Sequence, residues 1–125
     1  MEPGLRAEVA VVVGDADTAV QLGSGDVSVL GTPRLLALAE AATVKAVAPH
    51  LGQGETSVGT RVELEHLAAT AVGGRVAVTA VLQEVDGARL VFAVEASDER
   101  GAAVGKGRVE RVVVDRERFL ARSRR

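Results

Sequence analysis

The longest apolar stretch runs Pro33-Arg34-Leu35-Leu36-Ala37-Leu38-Ala39-Glu40-Ala41-Ala42-Thr43-Val44-Lys45-Ala46-Val47-Ala48, with charge only at Arg34, Glu40 and Lys45. It predicts one long helix. Thr32 is placed to cap it and Pro33 suits its first position, where a missing N–H costs nothing. Pro49 and Gly52 stop it. At about 100° per residue, Arg34 and Lys45 lie roughly 20° apart and mark the wettest face. Glu40 lies about 120–140° from both, above Pro33, Leu36, Val44 and Val47. A helix this apolar is expected to be buried on most sides and wrapped by a sheet. Glu40 against apolar surface then requires a partner.

Period-two segments flank the helix. Leu5 to Val13 reads as a strand, Gly14–Asp17 as a turn and Thr18–Leu22 as a short strand. After the flexible link His50–Glu55, Ser57–His66 alternates, with Val58, Thr60, Val62, Leu64 and His66 on one face and Arg61, Glu63 and Glu65 on the other. The strand is expected to continue into Leu67-Ala68-Ala69-Thr70. Gly73-Gly74 turns the chain into Arg75–Glu84, Asp86-Gly87 marks a hairpin into Arg89–Ala96, and Glu99-Arg100-Gly101 leads to Ala102–Val114. Arg116–Arg125 is a basic, helix-compatible tail. Consecutive hairpins require antiparallel pairing. The expectation is an α+β domain spanning residues 1–125, with one helix laid across an antiparallel sheet.

Composition narrows the chemistry. The chain is 47% hydrophobic but only 2% aromatic, so the core must be built from Val, Ala and Leu. Such a core is thin, which makes burial against a second copy plausible. A net charge of −2 and the absence of Trp and Tyr argue against nucleic-acid binding. Without Cys there is no disulfide or thiolate chemistry, and two separated His make a zinc site improbable. No signal peptide or membrane-length apolar run is visible, so a cytoplasmic protein is expected.

The charged strand face must meet water, which turns His66 toward the helix and Glu40. An inward carboxylate and imidazole suit general acid–base chemistry. The structural alternative is that Glu40 reaches a helix edge and His66 is a satisfied core histidine. Arg111, in phase with Val109 and Val113, is either an inward anion-binding group or a snorkelling strand-end residue. His50 reads most simply as a solvated loop residue.

These residues, in this order, resemble the hot-dog fold thioesterases, and among them the fluoroacetyl-coenzyme A thioesterase-like group. The carriers are Thr32 eight residues before Glu40, Ala46-Val47-Ala48-Pro49 closing the helix, Gly59-Thr60 before His66-Leu67-Ala68-Ala69-Thr70, and Glu110-Arg111. The resemblance runs from about Val9 to Phe119. It implies a homodimer, with a tetramer left open, and two interface sites that hydrolyse acyl-CoA without metal or redox cofactor. By resemblance the catalytic residues are Thr32, Glu40 and His66, with Gly59 and Arg111 in substrate-binding positions.

Several consequences follow from that resemblance. Glu40 would attack the thioester or deprotonate a water, His66 would orient or protonate, and the Gly59 N–H would meet the oxyanion. Arg111 would hold the carboxylate or meet an anionic part of CoA. Eight helical residues rise about 12 Å, so Thr32 and Glu40 do not touch, and other elements must complete the site. The group's aromatic lid has no counterpart in Gly23–Leu30, which contains no Phe, so fluoroacetyl-CoA is not the expected substrate. Rival readings are a hot-dog hydratase or dehydratase and a non-catalytic acyl or CoA binding module.

Overall fold

The structure, a computed structural model, describes residues 1–124; Arg125, the end of the expected basic tail, lies outside them. Five strands form one sheet: β1 (Arg6–Val12), β2 (Glu55–His66), β3 (Arg75–Asp86), β4 (Arg89–Asp98) and β5 (Ala103–Asp115). Their spatial order is β1-β3-β4-β5-β2, and every neighbouring pair is antiparallel. Among the described residues three α-helices accompany them, α1 (Ala19–Leu22), α2 (Thr32–Val47) and α3 (Arg116–Ser123).

α2 lies on one face of the sheet and packs against all five strands. Leu35, Leu38, Ala39, Ala42, Ala46 and Val47 are its buried face. They meet Val76, Val78, Ala80 and Leu82 of β3 and Leu90, Phe92, Val94 and Ala96 of β4, all in one core. The alanines let the helix sit close to the sheet, and Phe92 is the largest fully buried side chain. The expectation of a mostly buried helix holds on the sheet side. Ala37, Ala41 and Val44 remain exposed, Val44 at 46%, and Val47 is buried rather than sharing the Glu40 face.

Local chemistry departs from the sequence reading in three places. Residues 18–22 form no strand: Thr18 caps the short α1 by accepting from the Gln21 N–H, and Gly23, at φ 73°, ends it in a left-handed conformation that glycine adopts without strain. Gly31, not Thr32, is the N-cap of α2, which frees the Thr32 hydroxyl for another contact. β2 stops at His66; beyond it the Leu67 and Ala68 N–H groups both donate to the Val104 carbonyl. The basic tail is helical, with Asp115 accepting from the Arg118 N–H as its cap.

The segment between β1 and α2 is tied down by Asp17. Its carboxylate accepts from the Gly14 N–H at 2.8 Å and from Arg34 Nε at 2.7 Å. Those bonds, the Gly14 N–H first and then Arg34, hold the Asp17 carboxyl below its ordinary value of 3.8. A depressed carboxyl contributes stability above its unfolded pKa and loses it as pH falls through the folded one. Asp17→Asn should therefore lower stability at neutral pH by about 1 kcal/mol, a modest figure because the pair is partly solvated. Urea midpoints measured against pH should converge for the two proteins once the pH is well below 3.8.

Candidate active site

The sheet places Arg111 first. In β5 it alternates with Val109 and Val113 on the α2 side, and only 6% of it is exposed. A buried guanidinium must have its donors satisfied. Nε donates to Ser57 Oγ at 2.9 Å, Nη2 to the Ser57 carbonyl at 3.0 Å, and Nη1 to Glu40 Oε2 at 3.3 Å. Burial pulls the Arg111 pKa below its ordinary value, and the Glu40 carboxylate opposes that shift. Arg111 is thus the partner that Glu40 requires, and the expected Glu40–His66 pairing does not form.

Gly59 makes this possible. It faces Arg111 across the β2–β5 ladder, and a Cβ there would lie 2.5 Å from Glu40 Oε2. Only a residue without a side chain leaves room for the carboxylate. The alternation read from the sequence is also corrected here. The register shifts between Gly59 and Arg61, so Thr60 is a bulged residue. One extra residue reverses which side chains face inward. Ser57 and Gly59 therefore share the inner face with Val62, Leu64 and His66, while Val58 and Thr60 turn outward. Arg61, Glu63 and Glu65 face solvent as expected. Ser57 was missed because a bulge leaves no compositional mark.

The second cluster lies at the other end of β2. His66 Nδ1 and Thr32 Oγ1 are 2.8 Å apart, joining the strand end to the first turn of α2. His66 Nε2 is buried and, among the described residues, has no hydrogen-bond partner. Beside this pair lies a cavity of about 340 Å³, bordered by Ala19, Gly25, Val27, Leu30, Leu67 and Ala69. Apart from the His66 imidazole, its wall contains no aromatic ring: no Phe, Tyr or Trp lines it.

One chain therefore carries two separate clusters, Glu40–Gly59–Arg111–Ser57 and Thr32–His66. Along α2, eight residues separate Thr32 from Glu40, about 12 Å of rise. Along β2, seven separate Gly59 from His66, roughly 20 Å. Within one chain Glu40 and His66 cannot act on the same carbonyl. Among the described residues no cluster of His, Asp and Glu has metal-ligand geometry, and no helix is long and apolar enough to cross a membrane.

Comparison with known proteins gives this geometry a context. The family model described as fluoroacetyl-CoA-specific thioesterase matches residues 13–117. The fluoroacetyl-CoA thioesterase of Streptantibioticus cattleyicolor is 43% identical over 96 residues, covering 77% of this chain and 68% of that protein. A solved fluoroacetyl-CoA thioesterase superposes with a TM-score of 0.92 at 37% identity, covering 99% of this chain and 96% of the other. A thioesterase superfamily member from Thermus thermophilus superposes with a TM-score of 0.91 at 31% identity, covering 98% and 90%. The chain belongs to the fluoroacetyl-CoA-specific thioesterase family and is a thioester hydrolase with the hot-dog α+β fold.

Proposed function

We propose that this thioester hydrolase cleaves a small acyl-CoA at a composite site, with Glu40 supplied by one copy of the chain and Thr32 and His66 by a second. The separation of the two half-sites within one chain is the observation that carries the reading. A solved relative, 36% identical, holds acetyl-CoA, which supports a CoA thioester as substrate. The aromatic-free wall at Val27–Leu30 favours acyl groups other than fluoroacetyl.

The free edge of β2 supplies the means of assembly. β2 is a 12-residue edge strand, and the exposed Ala37, Ala41 and Val44 flank Glu40 on the adjoining helix. Long open edges invite pairing with another strand. Antiparallel self-pairing about a two-fold axis at Glu63 sets Arg61 opposite Glu65 of the second copy, a complementary pair. It sets the two Glu63 side chains together, each accompanied by the Arg61 of its own chain at 2.9 Å. Beyond the Thr60 bulge, Gly59 then stands opposite His66 of the second copy. Two identical sites result, each with a carboxylate, an imidazole and a hydroxyl.

In such a site Glu40, aimed by Arg111, either adds to the thioester carbonyl or takes the proton of an attacking water. His66 Nε2, without a hydrogen-bond partner among the described residues, passes a proton to the departing thiolate; water releases the acid, directly or from the Glu40 anhydride, and its proton restores the imidazole. Thr32 fixes the imidazole through Nδ1.

Glu40→Gln preserves shape but removes the charge, so turnover of acetyl-CoA should fall at least about 10²-fold with little change in KM. Near-normal turnover in the folded variant would refute the role of Glu40. Gly59→Ala should push the carboxylate off Arg111 and lower kcat by about 10²-fold, a loss typical of misplaced catalytic groups. A crystal structure of that variant should show Glu40 displaced.

The composite arrangement has its own test. Glu40→Gln and His66→Asn proteins, each inactive, should regain roughly a quarter of normal activity after subunit exchange, because half the dimers are mixed and each restores one site of two. Mixtures that stay inactive although light scattering and labelled-subunit exchange show mixed dimers would exclude sharing between copies. A monodisperse monomer would do the same.

A further inference from the structure

On the outer face of the sheet, opposite α2, lies a groove of about 520 Å³. Val58, Val112, Val114 and Phe119 make an apolar floor, with Thr60 and Arg122 at the rim. α3 contributes Phe119, Arg122 and Ser123 to the lining, and besides these carries Arg116, Arg118 and, just past its end, Arg124, against the single acid Glu117. None of these four arginines forms an ion pair among the described residues, although the chain as a whole carries −2.

Arg118 and Arg122 stand one turn apart on the same side of α3. Like charges at that spacing destabilise a helix by a few tenths of a kcal/mol, and among the described residues no carboxylate forms an ion pair with either. An anion would. Guanidinium groups bind phosphate through paired N–H bonds, and a groove of this size holds a ring system of nucleotide dimensions.

We infer that this groove takes the nucleotide end of a CoA thioester, the ring lying on Phe119 and the valines and the phosphates on Arg118 and Arg122. The inference rests on the hydrolase reading and adds a subsite to it. Placement supports it. Val58 and Thr60 bracket Gly59, so groove and Glu40 occupy opposite faces of the same stretch of β2. Edge-to-edge pairing leaves the outer face open. Because β2 ends at His66, pairing of Gly59 with the second copy's His66 leaves residues 55–58 unpaired, and the carrier arm can cross the sheet edge there. α3 is fixed for the purpose by its Asp115 cap and by the Arg116 N–H donating to the Gly54 carbonyl at 2.9 Å.

The test uses the full-length protein and its Arg118→Gln/Arg122→Gln double variant, both exposed positions whose replacement should leave the urea midpoint in place. The ratio of kcat/KM for acetyl-CoA to that for acetyl-pantetheine, which lacks the nucleotide, is measured for each. The double variant should lose about tenfold of this preference, through KM for the CoA ester. Calorimetric titration with CoA should show the same weakening, and titration with pantetheine should show none. A ratio and a CoA affinity unchanged by the substitutions would overturn the subsite while leaving the hydrolase intact. A loss seen with an acyl carrier protein thioester but not with acetyl-CoA would overturn it in favour of an acidic protein partner. If the unmodified protein cleaves neither ester, the hydrolase reading has failed, and the CoA titration alone decides whether the groove binds nucleotide.

Discussion

The desolvated guanidinium of Arg111 is the interaction around which the site is built. A cation only 6% exposed needs its donors filled, and four features of the chain answer to that need. Ser57 accepts twice, Glu40 accepts once, Gly59 vacates the space for the carboxylate, and the Thr60 bulge turns Ser57 and Gly59 inward together. Removing any one leaves either a buried donor unpaired or a carboxylate without a cation, and both are costly. Arg111 is therefore a positioning residue for Glu40. With Nε and both terminal nitrogens each bonded to the protein, it is poorly placed to meet a phosphate.

The bulge has a second effect. It keeps Arg61, Glu63 and Glu65 in water while the residues before it reverse phase, so one strand presents a charged outer face and still delivers Gly59 to the inner face. A strand without the extra residue would do only one of these. It would bury three charges or else turn the glycine away from Glu40.

Much of this was legible from residue pattern. The apolar run at 33–48 has the length and spacing of a helix, and charged residues at 61, 63 and 65 fix His66 on the opposite face by period alone. Arg111 was readable as inward because Val109 and Val113 flank it at the same parity. What stayed hidden depends on single hydrogen bonds. Nothing in the composition of Val58-Gly59-Thr60-Arg61 announces an inserted residue. Thr32 looked like a cap because threonine caps helices, yet His66 captures its hydroxyl and leaves capping to Gly31. Thr18–Leu22 read as a strand because Val and Leu fit either state, and Thr18 with Gly23 decided for a helical turn. Facing direction makes His66 a candidate partner for Glu40, but the hydrogen bond of His66 to Thr32 ties it to the far end of α2, about 12 Å of rise from Glu40.

That separation links the thin core to the shared site proposed above. The alanines of α2 let the helix sit close on the sheet, which leaves Glu40 at the border between core and solvent, its side chain 35% exposed. A carboxylate there is held by Arg111 from behind while its other side stays open. The remaining groups lie one strand-length away and cannot be brought nearer without shortening β2 or α2. The two-fold pairing proposed above would remove the difficulty without altering either element, because antiparallel pairing reverses the second strand and would set its far end beside Glu40. On the proposed reading, a chain too small to enclose a complete site in its own core would gain one by pairing with itself, and such pairing would bring a second copy toward the exposed Ala37, Ala41 and Val44 of α2.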